Sequence, residues 1–403
     1  DTYSVGVLKS TDGGNSWNKT GLDFSTDNRI SNEIYIHPED SNILWVSTNI
    51  GFYKSTDAGN TWVNTRSGNI MDFKLKPGDP NTIYAVSSSL FYKSTDGGDS
   101  FDIISSGLPA DSSLRQVLDV TEANPEVVYV LSANSDQSFK GLYKSTDSGT
   151  NFVKTGQEDD FFDGAQTWYN LALTVSPVDE NMVFIGEIAV WRSSDAGDTF
   201  ERKTYGYTNE PVANIHVDQH FLRYFNNKLY VGNDGGIYES SDSGENYNDL
   251  TENLNISQYY RIGTGRNSVD NIAGGLQDNG GFGFSNGTWY NYHGGDGMDC
   301  AVDPNDPNIY YGFTQFGGSL NVTYNGGASG SGVTSAPSDE TGSDDSGGNW
   351  VTPLEMDHEG NVYAGYSKLY KLEDRSWEAI SEDVFGGDLR NVAFAATDKQ
   401  IVY

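Results

Sequence analysis

The chain carries one cysteine in 403 residues, Cys300. No disulfide can form within it, and a zinc site built on thiolates is nearly excluded. Positive charge is scarce: 24 Lys and Arg stand against 57 Asp and Glu, a formal net charge of −33. Nucleic-acid phosphates and anionic membrane surfaces repel such a chain, so neither is expected as a partner. No run of 18 apolar residues occurs, so no membrane-inserted helix is expected. Helical periodicity of useful length is missing as well. The acid is mostly Asp, 39 residues against 18 Glu, which places it in turns rather than helices. The chain opens at Asp1 with no Met and no signal sequence, as a mature product or an excised fragment would.

Aromatic residues are plentiful: 25 Tyr, 19 Phe and 8 Trp supply material for a core and exclude global disorder. They recur in a repeat. Ser-x-Asp-x-Gly-x-x-aromatic occurs six times, first as Ser10-Thr-Asp12-Gly-Gly14-Asn-Ser-Trp17, then at 55–62, 94–101, 145–152, 193–200 and 240–247. Its acids are Asp12, Asp57, Asp96, Asp147, Asp195 and Asp242. Each copy follows a short strand-like run such as Gly51-Phe-Tyr-Lys54. Ser and Asp side chains bond the backbone of a tight turn, and Gly supplies a positive φ. The motif therefore reads as the bend of an antiparallel hairpin, and its Asp as structural rather than catalytic.

Two further strands precede each motif, as in Thr82-Ile-Tyr-Ala-Val86 after the turn Pro77-Gly-Asp-Pro80. Four antiparallel strands in about 45 residues make one propeller blade. Inner strands are expected to start near 30, 70, 113, 168, 214, 257, 295, 351 and 390, with nine outer hairpins. Three hairpins are degenerate: Ser285-Asn-Gly-Thr-Trp289, Thr323-Tyr-Asn-Gly-Gly327 and Glu373-Asp-Arg-Ser-Trp377. The expected fold is an all-β propeller of about nine four-stranded blades, regular over 1–255 and degenerate over 256–403. Both ends fall in mid-blade, which favours part of a longer tandem propeller over a ring closed by the termini. Residues 326–349 are almost wholly Gly, Ser, Asp, Thr and Ala, and read as a flexible insertion.

The repeat is the Asp-box, or BNR repeat, and the chain resembles the Asp-box propellers of sialidases, two-propeller xyloglucanases and sortilins. The resemblance covers nearly the whole chain and speaks for fold more than for activity. Further phrases in the second half, Gly232-Asn-Asp234-Gly-Gly236, Gly274-Gly-Leu-Gln277-Asp278-Asn279-Gly280 and Gly294-Gly-Asp296-Gly297, look like those of large secreted Asp-box proteins of Bacteroidetes. That likeness implies an extracellular or cell-surface protein. It also implies contact with the type IX secretion machinery if a sorting domain follows.

Candidate chemistry is limited. His216, Asp218 and His220 alternate, which would put them on one face of an innermost strand as ligands of a divalent metal. A hydrogen-bonded network holding the strand is the alternative. Acidic turns such as Asp303-Pro-Asn-Asp306 suit Ca²⁺. Asp234, Asp278 and Asp296 sit beside glycines at strand ends, where two carboxylates form an acid/base pair if they face each other at roughly 6.5–9.5 Å. The alternative is Asx-turn capping. Trp168, Tyr169, Trp289 and Tyr292, with Gln277 and Asn279, are candidates for stacking on and bonding sugar rings. The catalytic Asp phrase of xyloglucanases resembles Thr48-Asn49-Ile50-Gly51, with Asn in place of the acid. The Arg-Ile-Pro start of sialidases is missing, so sialidase activity is not expected. Three functions stay open: a secreted binding module for polysaccharide or a surface protein, a glycoside hydrolase with paired Asp carboxylates, and a scaffold within a longer surface protein.

Overall fold

The computed structural model describes residues 3–164, 166–206, 213–265, 268–340, 347–383, 386–395 and 401–403. The repeat folds as a hydrogen-bonded turn with the same wiring each time. In the copy at Ser94, the Ser94 hydroxyl donates to Asp96 Oδ1 at 2.7 Å and accepts the Gly98 N–H at 2.9 Å. Asp96 then accepts the Ser100 N–H at 2.9 Å and its hydroxyl at 2.6 Å. The copies at Ser10, Ser55, Ser145, Ser193 and Ser240 repeat this scheme. In one of them the Asn151 side-chain amide, and then its backbone N–H, hold the Asp147 carboxyl down at about 2. A seventh turn is written differently: Thr323 and Asn325 replace Ser and Asp, yet Thr323 donates to Asn325 Oδ1 at 2.8 Å and Asn325 accepts the Ser329 N–H at 3.0 Å.

That substitution sets an expectation. Asp96→Ala removes acceptors for three donors and is expected to cost about 1–2 kcal/mol. Asp96→Asn keeps the acceptor that Asn325 keeps, and is expected to cost less than half of that. Paired urea titrations check the difference; equal losses would mean that charge, not hydrogen-bond geometry, holds the turn.

The hairpins assemble into blades. The described residues form eight four-stranded antiparallel sheets and one two-stranded hairpin. The chain divides into two compact units, 1–252 and 253–403. The first begins with the hairpin Gly6–Lys9 and Asn18–Asp23. Five blades follow, with inner strands Ser31–Ile36, Asp72–Lys76, Arg115–Val120, Ala172–Val175 and Gln219–Phe225. The second unit holds three, with inner strands Tyr259–Gly265, Gly297–Val302 and Leu354–Met356. Blades are numbered 1 to 8 in this order. All nine outer hairpins are present. The ninth inner strand, expected near 390, is reduced to a bridge between Phe394 and Val402 among the described residues. Blades 4 and 5 start their inner strands later than expected, at Ala172 and Gln219 rather than near 168 and 214.

Each blade in the middle of the first unit is covered on both faces, so its second strand loses alternation. Val128–Ala133 is buried throughout. The cores lie between neighbouring blades. Val86, Phe91, Leu118, Val130 and Phe152 join blades 2 and 3, and Leu142, Leu173, Val183 and Ile185 join blades 3 and 4. Motif glycines make this packing possible: Gly149 has φ +68°, and a Cβ there would lie 3.1 Å from Phe91 and Tyr84 of blade 2. A basic residue before the motif adds a polar link to the following blade in five copies, among them Lys144, which donates to Asn181 Oδ1 at 3.1 Å. Lys9 donates to Ala58 O, Lys54 to Asp99, Lys93 to Thr150 and Arg192 to Ser243 O. In the sixth copy Glu239 takes this place and pairs with Lys228 and Tyr230 of its own blade.

The segment 326–349 departs from the expectation of a flexible insertion. Gly332–Ser335 pairs as the outer strand of blade 7, and Glu340 accepts the Tyr370 hydroxyl at 2.6 Å. Residues 341–346 of that segment lie outside the described residues. One 3-10 turn, Gln315–Gly317, is the helical content of the described residues, and none of their helices is long and apolar enough to cross a membrane.

Candidate functional site

Antiparallel alternation sends the loops entering inner strands, and the loops joining second and third strands, to one end of each blade. The motif turns fall at the other end. In the first unit the five inner strands line a cavity of about 670 Å³. Its wall is ionic. Lys74 meets Asp72 at 2.5 Å and Glu33 at 3.4 Å. Burial alone would lower the Lys74 ammonium, but Asp72, Tyr35 and Glu33 more than offset it and hold it charged. Burial pushes the Asp119 carboxyl up to about 6. Asp72 and Asp119 also work between blades. Asp72 Oδ2 accepts the Leu118 N–H and Asp119 Oδ2 the Val175 N–H, each at 2.9 Å. Asp299 repeats the device in the second unit, on Leu354 N–H at 3.1 Å.

At the entrance of this cavity, loop residues of blades 3 to 5 converge. Trp168 and Tyr169 lie in the turn before the inner strand of blade 4. They are 52% and 54% exposed, with ring centroids 5.3 Å apart. Arg115, the first residue of its inner strand, reaches across and donates to the carbonyl oxygens of both. Tyr169 packs edge-on against His220 at 4.8 Å. His220 Nε2 lies 2.6 Å from Asp234 Oδ1. Asp234 is displayed by a turn in which Asn233 Oδ1 accepts the N–H groups of Gly235 and Gly236, both at 3.0 Å. Asn170 Nδ2 donates to Asp218 Oδ1 at 2.6 Å. Burial first, and then the charge of Asp234, raise the Asp218 carboxyl above its ordinary range, against the pull of His216, His220 and Asn170.

The His-x-Asp-x-His phrase therefore folds differently from its alternation. Asp218 has φ +66° and the strand begins only at Gln219, so the three residues do not share one strand face. His216 uses its ring Nδ1 at Val217 O, 3.1 Å, and its backbone carbonyl to accept from Gln219 and Asn233. Among the described residues, no three His, Cys, Asp or Glu side chains are grouped to hold a metal ion. The acidic turn at Asp303 is used locally: Asp303 Oδ1 accepts the N–H groups of Asn305 and Asp306.

Of the paired carboxylates, Asp234 belongs to the first unit and Asp278 and Asp296 to the second. The latter two are brought together, with Asp278 N–H donating to Asp296 Oδ1 at 2.9 Å. Asn279 donates to Gln277 O at 3.0 Å in the same loop, and the Gln277 N–H donates to Gln258 O. Asn49, where the acid of the xyloglucanase phrase would stand, accepts the Ile30 N–H at 3.1 Å and fastens its own loop. Tyr292 is a correction. It is 6% exposed and packs with Ala273, Cys300, Val302 and Tyr310, so no sugar ring can reach it. Trp289 is exposed but stands on the outermost strand of blade 6, Thr288–His293, against Phe284 at 5.1 Å. Two members of the entrance cluster escape the sequence reading, Asn170 and Arg115. Adjacency to Trp168-Tyr169 is a signal for Asn170. Arg115 carries none, because its contact spans 53 residues.

No known family profile matches the chain, and no curated protein matches it in sequence. Solved structures do share its fold. PorZ, described as a bacterial surface component of the type-IX secretion system of Porphyromonas gingivalis, is similar at 14% identity and a TM-score of 0.50, over 89% of this chain and 47% of that one. The GH74 enzyme of Niastella koreensis matches at 16% identity and a TM-score of 0.46, over 93% of this chain and 74% of that one. An ancestral GH74 enzyme matches at 16% and 0.47, over 99% and 63%. The chain spans under half the length of PorZ.

Proposed function

We propose that the chain is a secreted or cell-surface propeller whose first unit binds polysaccharide at the entrance of its central cavity. One observation carries the reading. Two adjacent aromatic rings, both more than half exposed, stand beside Asn170, Asp218, His220 and Asp234. Sugar rings pair an apolar C–H face with a polar rim, and this arrangement offers a counterpart to each. The structural cost supports it too, since large exposed rings next to carboxylates add nothing to the core. The extracellular setting rests on the Asp-box likeness of the sequence.

A second reading, glycoside hydrolysis, is favoured by the state of the Asp218 carboxyl. Asp218 is raised by burial and by its neighbour's charge, as a general acid would be. One experiment separates the two. Immobilised plant, algal and host polysaccharides are tested for retention of the protein, and the same glycans for reducing-end release. Trp168→Ala is expected to weaken retention about tenfold, and the double change with Tyr169→Ala to abolish it. Retention without release supports the binding module. Release that vanishes in Asp234→Asn establishes the hydrolase. Retention unchanged in the double variant removes the proposed site.

A further inference from the structure

We infer that His293 is an acid-sensitive latch between blades 6 and 7: neutral, its ring lets the two blades close over it; protonated, it opens them. His293 ends the outermost strand of blade 6, Thr288–His293, and is 9% exposed. Its Nδ1 lies 3.0 Å from Gly294 O. A carbonyl only accepts, so Nδ1 carries the proton of the neutral ring and Nε2 is bare. Nε2 is enclosed and meets no hydrogen-bond partner among the described residues. Two glycines allow the enclosure. A Cβ on Gly281, the cross-strand partner of His293, would collide with Nε2. One on Gly312, in the second strand of blade 7, would lie 2.9 Å from it. The Tyr292 ring stands edge-on at 5.0 Å. A second proton on the ring would thus put a charge between the backbones of two blades. A buried charge without a partner costs far more than a neutral ring.

No neighbouring element offers a counter-charge. Gly280–Ser285 of blade 6 and Ser319–Thr323 of blade 7 hold no titratable residue. Tyr292 and Tyr310 are phenols that burial keeps neutral. Burial likewise pushes the Cys300 thiol up to about 12. Tyr311 packs into the core that blade 7 shares with blade 8. Asp299 is turned to the N–H groups of Leu354 and Cys300. Asp296 accepts the Asp278 N–H, and Asp270 is exposed. Burial accordingly lowers the imidazole from its ordinary value, against the smaller pull of Gly294 O.

The direction of the response follows. A base depressed in the folded state costs nothing well above its ordinary value of about 6.5 and destabilises as pH falls below it. Opening takes up one proton. The opening constant of the contact therefore rises below about pH 6.5, at most about tenfold per pH unit, until the folded-state value is reached. Asp299 cannot imitate this loss, because burial raises its carboxyl and so adds stability as pH falls. The loop 294–296, which carries Asp296 into the inner strand of blade 7, starts at the latch and would be released with it.

The test is hydrogen exchange of the intact chain between about pH 7.5 and 5.5, corrected for the intrinsic rate, beside an NMR titration of labelled histidine. Opening of 288–302 and 310–314 is expected to rise severalfold, and at most about tenfold, by about pH 5.5. The strand Val128–Ala133 of the first unit should not follow. His293→Gln removes the titrating group and should flatten the response, whereas His358→Gln, at an exposed histidine of the same unit, should leave it intact. The NMR titration of the unaltered protein decides the matter even if His293→Gln misfolds: His293 should titrate below its ordinary value. A His293 that titrates at or above that value would overturn the latch. So would an opening constant that stays flat across this range, or a rise that persists in His293→Gln.

Discussion

Trp45→Ala is expected to destabilise the first unit by about 4 kcal/mol. Trp45 is 1% exposed, in the second strand of blade 1. Its Nε1 donates to Gly97 O, 2.9 Å away in the motif turn of blade 2. Truncation thus does two things at once. It opens a cavity the size of an indole between two blades, beside Phe52, Phe73 and Ile83. It also leaves a buried carbonyl without its donor. The turn is closely packed there: Gly98 has φ +83°, and a Cβ built on it would lie 3.1 Å from Phe52 and 3.2 Å from Ile83. Trp45→Phe keeps much of the packing and loses the hydrogen bond, for an expected cost of about 1–2 kcal/mol. Denaturant titration gives the totals. Hydrogen exchange locates them: protection should fall in 44–55 and 79–94 and hold in the second unit. A Trp45→Ala protein as stable as the parent would show that blades 1 and 2 do not depend on this contact.

The Trp45 link also shows where a sequence speaks and where it stops. The motif turn is legible because its chemistry is local: Ser, Asp and Gly within five residues close the turn by themselves. Even the altered copy at Thr323 and Asn325 keeps a hydroxyl and a side-chain acceptor at the same spacing. The bond from Trp45 to Gly97 spans 52 residues, and no local pattern announces it. The same holds for Asp72, Asp119 and Asp299, each bonding the inner strand of the next blade. Alternation failed at His216, Asp218 and His220 because one left-handed residue, Asp218, ends the strand register before it starts. At the candidate site the aromatic pair is legible as Trp168-Tyr169. Asp218, His220 and Asp234 stand out as candidates too, but their meeting with that pair is not legible, since Asp218 and Arg115 arrive from 48 and 53 residues away.

Glu340→Ala is expected to lower the stability of the second unit by about 2–3 kcal/mol, although the residue stands in a stretch that composition reads as structureless. Its carboxylate accepts the Tyr370 hydroxyl and the Ser367 hydroxyl at 2.6 Å each, and the Ser367 N–H at 3.3 Å. Tyr370 is buried in the core of blades 7 and 8 with Phe313, Tyr366 and Leu354. Burial, and then Glu340, hold its phenol well above the ordinary tyrosine range, so it stays a hydrogen-bond donor at any physiological pH. Removing the carboxylate leaves that buried hydroxyl and the Ser367 pair without their acceptor. Glu340→Gln keeps one acceptor oxygen and should lose about half as much. The neighbouring ion pair, Asp339 to Lys368 at 2.7 Å, is largely exposed, and Asp339→Asn is expected to cost under about 1 kcal/mol. Urea titration of the three variants, with hydrogen exchange read over 362–379, checks the order. If Glu340→Ala matches the parent, Gly-, Ser- and Asp-rich composition is the better guide to this stretch. If the order holds, a low-complexity segment whose strand Gly332–Ser335 is paired in blade 7 has its far end fastened to blade 8 by one carboxylate, because a turn needs only a single well-placed acceptor when the donors that face it are already buried.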